Sequence, residues 1–236
     1  MAPKSDLPVF RNQLLRAVSS ADLALLTPYL TAVDLELRHD LERPNRPIKH
    51  VFFLESGMAS VVGRGANRKQ IEIGLIGREG VSGLMVILGN DRSPHATYMQ
   101  VAGSAHRIAS DDLRQVMKTS ASLHGVLLRY VQAFMIQATH TAIANGTAKL
   151  EERLARWLLM AQDRLDGNEL PLIHEFLALM LAVRRPGVTV ALRSLEMQGV
   201  IKSKRGIIKI LDRTGLEEIA NSSYGVPEAE YERRME

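Results

Sequence analysis

The spacing of apolar residues along the chain passes from helical to strand-like and back again. Near the amino end, Leu14, Leu15, Val18, Leu23 and Leu26 recur at helical intervals and predict a leading helical segment. From about residue 51 to residue 110 the apolar runs are short, rich in Val and Ile, and interrupted by glycine. Residues 51–65, 69–80 and 97–110 read as strands joined in hairpins. Gly57, Gly63, Gly65, Gly74, Gly77, Gly80, Gly83 and Gly89 punctuate them at intervals suited to a small barrel or β-roll. Beyond residue 110 helical spacing returns. Ser110-Asp111-Asp112 predicts a helix start, with an oxygen-bearing cap and acids in the first turn.

A long helix is expected to follow. No Asp, Glu, Lys or Arg occurs from Tyr130 to Ala148, yet Gln132, Gln137, Thr139, His140, Thr141 and Asn145 make the stretch too polar to span a membrane. It is expected to lie against protein. Leu127, Val131, Phe134, Ala138 and Thr141 step by four and three, the spacing of a coiled-coil seam. That seam predicts a homodimer along this helix, with packing onto the chain's own barrel as the alternative. Asn145-Gly146-Thr147 reads as a hinge. In the next helix Leu150, Leu154, Trp157, Leu158, Ala161 and Leu165 form one apolar face, and Glu152 and Arg156 can pair on the exposed side. Asp166-Gly167-Asn168 ends it. Residues 216–236 are polar and are expected to fray.

The densest signal lies between residues 170 and 211. Two short amphipathic segments are separated by a turn that carries Arg184 and Arg185, and a basic hairpin follows. In a helix-turn-helix the two helices cross closely, which calls for small residues such as Ala178 and Ala182 at the contact and the turn. Leu177, Leu181, Val183, Val188 and Leu192 supply a shared core. Pro186 falls in the first turn of the second helix, roughly 185–198, where its missing N–H costs nothing. That helix is expected to present Arg184, Arg185, Thr189 and Arg193 to base edges in a major groove. Arginine suits this role because its two parallel N–H groups match guanine O6 and N7. The strands on either side of Lys204-Arg205-Gly206 would form a wing. Its Lys202, Lys204 and Arg205 are expected to meet phosphates and to position the module without reading sequence. The bland alternative is a helical pair with a solvated basic hairpin.

Charge supports the first reading by its placement. The whole chain of 236 residues carries a net charge of only +4. Residues 184–213 hold eight Lys or Arg against two acids, an excess larger than that of the entire chain. There is no cysteine, which excludes disulfides, thiolate zinc sites and cysteine-ligated iron–sulfur clusters. With 46% hydrophobic residues there is material for a core. The amino terminus shows no secretory pattern, so the protein is expected in the cytoplasm and off the membrane.

The order of roll, long helix and winged helix-turn-helix resembles the Crp/Fnr family of bacterial transcription regulators. The match over residues 174–201, HEFLALMLAVRRPGVTVALRSLEMQGVI, is the specific part, and FFLESGMASVV and IGLIGREGVSG resemble the family's roll. The resemblance implies an α+β chain in three parts: a sensory β-roll with its leading helical segment (1–109), a long dimerisation helix (110–145), and a winged helix-turn-helix domain with a polar tail (146–236). It further implies a homodimer on double-stranded palindromic DNA, with RNA polymerase as a further partner. Arg185 falls where the family has a base-reading arginine. Pro186 and Val190 replace a glutamate and a second arginine, so the operator is expected to differ. Ile173 replaces a threonine that often caps the first helix.

Family members that bind cyclic nucleotides carry a Gly-Glu pair followed by Arg-Ser or Arg-Thr. Here Arg92-Ser93 is present as a candidate effector contact, but Leu84 follows Gly83, so cyclic-nucleotide binding is not expected. No cofactor or metal is called for. The seven histidines, at 39, 50, 95, 106, 124, 140 and 174, form no ligand-spaced pair. No nucleophile elbow, phosphate loop or HExxH motif points to an enzyme. A small-molecule sensor, whose roll binds another effector and whose helices serve protein contacts, is the alternative to the DNA-binding regulator.

Overall fold

The computed structural model describes residues 10–65 and 70–235. Two short helices open the fold, α1 (Gln13–Ala17) and α2 (Ser20–Leu26). Seven strands then form the roll: β1 (Thr31–Leu35), β2 (Asp40–Glu42), β3 (His50–Leu54), β4 (Met58–Arg64), β5 (Gln70–Ile76), β6 (Ala96–Val101) and β7 (Gly103–Ala109). They make two antiparallel sheets, one ordered β1-β7-β3 and the other β2-β6-β4-β5. The strand expectations between residues 51 and 110 are met closely. Between β5 and β6 the single-turn helix α3 (Leu84–Ile87) had no counterpart in the sequence reading.

The helical region after the roll is divided. Helix α4 (Ser110–Thr119) ends at Ser120, whose hydroxyl accepts the Leu123 N–H and starts α5 (Ala121–Thr147). Ser110 does not cap α4 as expected. It is the first helical residue, Ala109 precedes it, and its hydroxyl donates instead to the Ile48 carbonyl at 2.6 Å. The hinge is also displaced: α5 runs through Asn145, Gly146 and Thr147, and the chain breaks at Ala148. Local glycine and asparagine preferences were outweighed by the continuing helix.

Two sides of α5 rest on the roll. Leu127, Tyr130 and Val131 join a core with Leu14, Leu15, Val51 and Phe53, while Phe134 enters the space between the sheets beside Phe52, Leu54, Val61 and Met99. Gln137 explains how a polar residue can be buried there. Its side chain accepts from the Leu75 N–H at 2.6 Å and donates to the Leu75 carbonyl at 3.2 Å, acting as an extra partner strand for β5. Gly74 permits this approach: a Cβ there would lie 2.8 Å from Gln137 Oε1 and 2.9 Å from Phe134.

The carboxy-terminal domain consists of α6 (Leu150–Arg164), β8 (Glu169–Leu170), α7 (His174–Met180), α8 (Arg185–Met197), β9 (Ile201–Lys204), β10 (Ile207–Ile210) and α9 (Arg213–Ala220). Its three strands are ordered β8-β10-β9. The apolar face read on α6 is buried, and with Leu177, Leu181, Val188 and Leu192 it forms one core. The Glu152–Arg156 pair does not form. Arg156 is only 5% exposed and donates to Thr141 Oγ1, because this side of α6 faces α5 and the roll rather than water.

The tail is ordered as well. Helix α10 (Val226–Met235) lies along α5, with the Tyr231 hydroxyl donating to the Glu79 carbonyl at 2.7 Å and Arg234 donating to Gln132 at 2.8 Å. Its polar composition suggested fraying, but Tyr231 anchors it to the core beneath the roll. Among the described residues no helix is long and apolar enough to cross a membrane.

A candidate nucleic-acid interface

Helices α7 and α8 meet through Leu177, Leu181, Val188 and Leu192, all at most 3% exposed, with Val183 packed at the edge. The turn between them passes through Ala182, which is exposed and takes the left-handed conformation at φ +52°. Arg153 of α6 fixes this turn from behind by donating to the Leu181 carbonyl. Because Val188, Ala191, Leu192 and Leu195 take the inner face of α8, the outer face falls to Arg184, Arg185, Pro186, Thr189, Val190, Arg193 and Met197. Arg184 and Arg185 are exposed at the amino end of α8 and Arg193 past its middle, while Thr189 between them is half-buried and its hydroxyl donates to the Arg185 carbonyl at 3.3 Å. Arg184, the cap residue, makes no side-chain cap bond.

The wing stands beside this surface. Strands β9 and β10 pair from Ile201↔Ile210 to Lys204↔Ile207, leaving Arg205 and Gly206 as a two-residue loop at φ +40° and +83°. Glycine suits the second position, where a side chain would be strained. Lys202, Lys204 and Arg205 are exposed. Glu196 of α8 accepts the Ser203 N–H at 2.7 Å and ties the wing to the reading helix.

Not every basic residue of this region belongs to the surface. Arg213 is committed to Asp163 at 2.9 Å and Glu217 at 2.8 Å, and Lys209 to Glu169 at 3.1 Å. Arg184, Arg185, Arg193, Lys202, Lys204 and Arg205 form no ion pair with a described residue, and the Glu196 carboxylate is the acid beside them. Sequence reasoning named Val190 only as a replacement for arginine and passed over Met197; they are 64% and 89% exposed. Their signal was present: 186, 190, 193 and 197 step by four, three and four, so one helical face holds all four.

The roll does not bring Arg92 and Ser93 together as a contact pair. Arg92 is exposed beside Asp91, whereas Ser93 is buried and its hydroxyl accepts the His95 N–H. A carboxylate does stand at Gly83, supplied from β2 rather than from the next residue. Glu42 Oε1 accepts the Gly83 N–H at 2.8 Å, and burial pushes the Glu42 carboxyl above its ordinary value. Leu41, Phe52, Met99 and Phe134 meet in the core between the two sheets with Leu84 against them, and beside it a cavity of about 620 Å³ stays open, bordered by Leu35, Leu41, Glu42 and Phe52.

The dimer seam needs correction. Leu127, Val131 and Phe134 are 0%, 4% and 7% exposed and are used by the chain's own core, while Ala138 and Thr141 are half-buried. The outward apolar residues of α5 are Leu128, Met135 and Ile143, at 41%, 62% and 52% exposure. Leu128, Gln132, Met135, Thr139 and Ala142 repeat the spacing one residue further along, with Ile143 beside the last of them.

One further polar contact joins the two domains. Glu72 of β5, 4% exposed, accepts from Ser60 of β4 at 2.8 Å and from Trp157 Nε1 of α6 at 2.6 Å. Burial pushes its carboxyl up to about 7, against the opposing effect of those hydrogen bonds.

Comparison with known proteins agrees with this geometry. Residues 152–219 match the family model of the Crp-like helix-turn-helix domain. No curated protein matches the chain. Among solved structures, a putative transcriptional regulator of the Crp/Fnr family from Eubacterium rectale superposes with a TM-score of 0.69 at 20% identity, covering 88% of this chain and 97% of that one. FixK2 from Bradyrhizobium japonicum gives 0.68 at 16% identity, covering 80% and 96%. TTHB099, a Crp-family transcriptional regulator from Thermus thermophilus, gives 0.66 at 20% identity, covering 80% and 96%. The chain thus shares the fold of these Crp/Fnr-family structures, and residues 152–219 are similar to the Crp-like helix-turn-helix domain.

Proposed function

We propose that the protein is a transcription regulator that binds an inverted-repeat DNA site as a homodimer. The observation that carries this reading is the exposed basic surface along α8, free of ion pairs with described residues and flanked by the wing. Arg185 is assigned to guanine, with Arg184 and Arg193 beside it. Thr189 and the exposed Val190 suit a thymine methyl. Lys202, Lys204 and Arg205 are assigned to phosphates. The outer seam of α5, from Leu128 to Ile143, is the surface on which two copies would pair. A two-fold axis there would set two reading helices into successive major grooves, about 34–36 Å apart.

The Gly83 N–H already taken by Glu42 supports DNA binding without a cyclic nucleotide. RNA polymerase as a further partner, a non-catalytic role and a cytoplasmic setting rest on the family resemblance.

Selection from random double-stranded DNA, followed by titration of the selected site at several salt concentrations, tests the proposal. An inverted repeat should be enriched. Arg185→Ala should cost about 1–3 kcal/mol of discrimination at one base pair of each half-site. Lys204→Ala should weaken all sequences alike and reduce the salt slope by about 1 per protomer. Absence of salt-dependent binding to any fragment would sink the reading.

A further inference from the structure

A cavity of about 300 Å³ lies where the roll, α5, α6 and α10 meet. Tyr130 and Phe134 of α5, Tyr224 before α10 and Tyr231 on α10 supply aromatic walls. Two arginines also line it, and both are already engaged. Arg164 Nε lies 2.8 Å from Glu79 Oε1, and Arg213 is paired with Asp163 and Glu217. Helix α10 adds Glu228 and Glu232 to the lining, and neither forms an ion pair with a described residue. Glu228 Oε2 accepts the Gly225 N–H at 3.0 Å, which leaves its other oxygen without a partner among the described residues. The surplus charge of the cavity is therefore negative. Burial, and after it Glu79 for Tyr231 and Asp163 for Tyr224, hold both phenols above their ordinary pKa.

A second observation points the same way. Tyr130 is 2% exposed and lines the cavity, with its hydroxyl turned to the Val81 backbone. The Oε2 oxygen of Glu79 is buried and has no hydrogen-bond partner among the described residues. Buried polar groups are ordinarily satisfied, so an open carboxylate oxygen beside this cavity favours a donor or a cation over an anion. An anion would find both guanidinium groups taken. Among the described residues no cluster of three His, Asp or Glu could hold a metal ion. Aromatic faces together with spare carboxylate oxygens suit a soft, poorly hydrated cation.

We propose that this cavity binds a small organic cation, a primary or quaternary alkylammonium, between the rings of Phe134 and Tyr231 with its charge on Glu228. The walls come from both sides of the α5–α6 joint and from α10. A ligand here touches the elements that hold the reading domain on the roll.

Calorimetric titration and thermal unfolding of the full chain, without DNA, test the site apart from any DNA-binding role. The probes are tetramethylammonium chloride and putrescine dihydrochloride, with sodium chloride and sodium benzoate at equal ionic strength as references. At least one cation should bind saturably and raise the Tm by mass action. Glu228→Gln keeps an acceptor for Gly225 and should weaken that cation by about tenfold. Tyr231→Phe keeps the ring and should retain binding. The proposal is overturned if neither cation exceeds the sodium chloride reference, if Glu228→Gln binds as tightly as the parent, or if benzoate is preferred.

Discussion

Ala182 holds the turn of the helix-turn-helix at φ +52°, a conformation that costs a residue with a Cβ. Ala182→Gly should therefore stabilise the chain by about 0.5–1 kcal/mol, read as a raised urea midpoint at unchanged slope. A midpoint unchanged or lowered would show that the turn relaxes around alanine. Ile173, at the start of α7, provides no side-chain cap, as its replacement of a capping residue type led one to expect. Ile173→Thr should contribute about 1 kcal/mol by supplying the missing acceptor. The residue identities for the reading surface were legible because arginine, proline and glycine act through local rules: Pro186 in the first turn, Gly206 in the wing loop, arginines before a helix. The use of Arg213 and Arg156 was not legible. Their partners Asp163 and Thr141 lie on other helices, out of reach of any spacing rule.

At the scale of elements, α5 shows how a sound pattern can be placed on the wrong face. The sequences 127, 131, 134, 138, 141 and 128, 132, 135, 139, 142 have identical steps and differ by one residue, a rotation of about 100°. An apolar helix carries both. Contact with the roll takes the first, and leaves Leu128, Met135 and Ile143 to the outside. The two seams predict opposite behaviour on mutation. Met135→Glu should leave the unfolding free energy of the protomer nearly unchanged but shift the particle mass in sedimentation from dimer to monomer. Phe134→Ala should cost about 3–5 kcal/mol, since it removes a ring from between the sheets. A Met135→Glu protein that still sediments as a dimer would remove the outer seam from the proposal. By contrast, the strands of the roll were legible almost residue for residue, because alternation and glycine turns are local signals.

At the scale of the whole molecule, the two domains are joined through the buried Glu72, held by Ser60 on one side and Trp157 on the other. Its folded-state pKa of about 7 lies above the ordinary 4.5. Below the lower value this carboxyl is protonated whether the chain is folded or unfolded, and its contribution is fully present. As pH rises through about 7 the buried group must ionise, and that stability is lost. Stability of the parent should thus fall between about pH 5 and pH 8, and Glu72→Gln, which can serve both hydrogen-bond partners, should flatten that fall. Equal slopes in urea titrations of the two proteins across this range would remove Glu72 as the cause. Helix α10 belongs to the same scale. Tyr231 and Arg234 bind the tail of the chain to Glu79 and Gln132, more than a hundred residues earlier.

Local chemistry alone determined the succession of roll, helix and winged helix-turn-helix, and the basic character of the face read by α8. Strand alternation, helical period and turn residues act over a few positions, so a linear chain displays them. Tertiary structure decided which face of α5 remained open, which arginines were spent on partners, and how Glu42 came to occupy the Gly83 N–H. It also decided that a polar tail would dock instead of fraying. Each of those outcomes depends on groups brought together by long-range packing, where burial and pairing energies outweigh local preference.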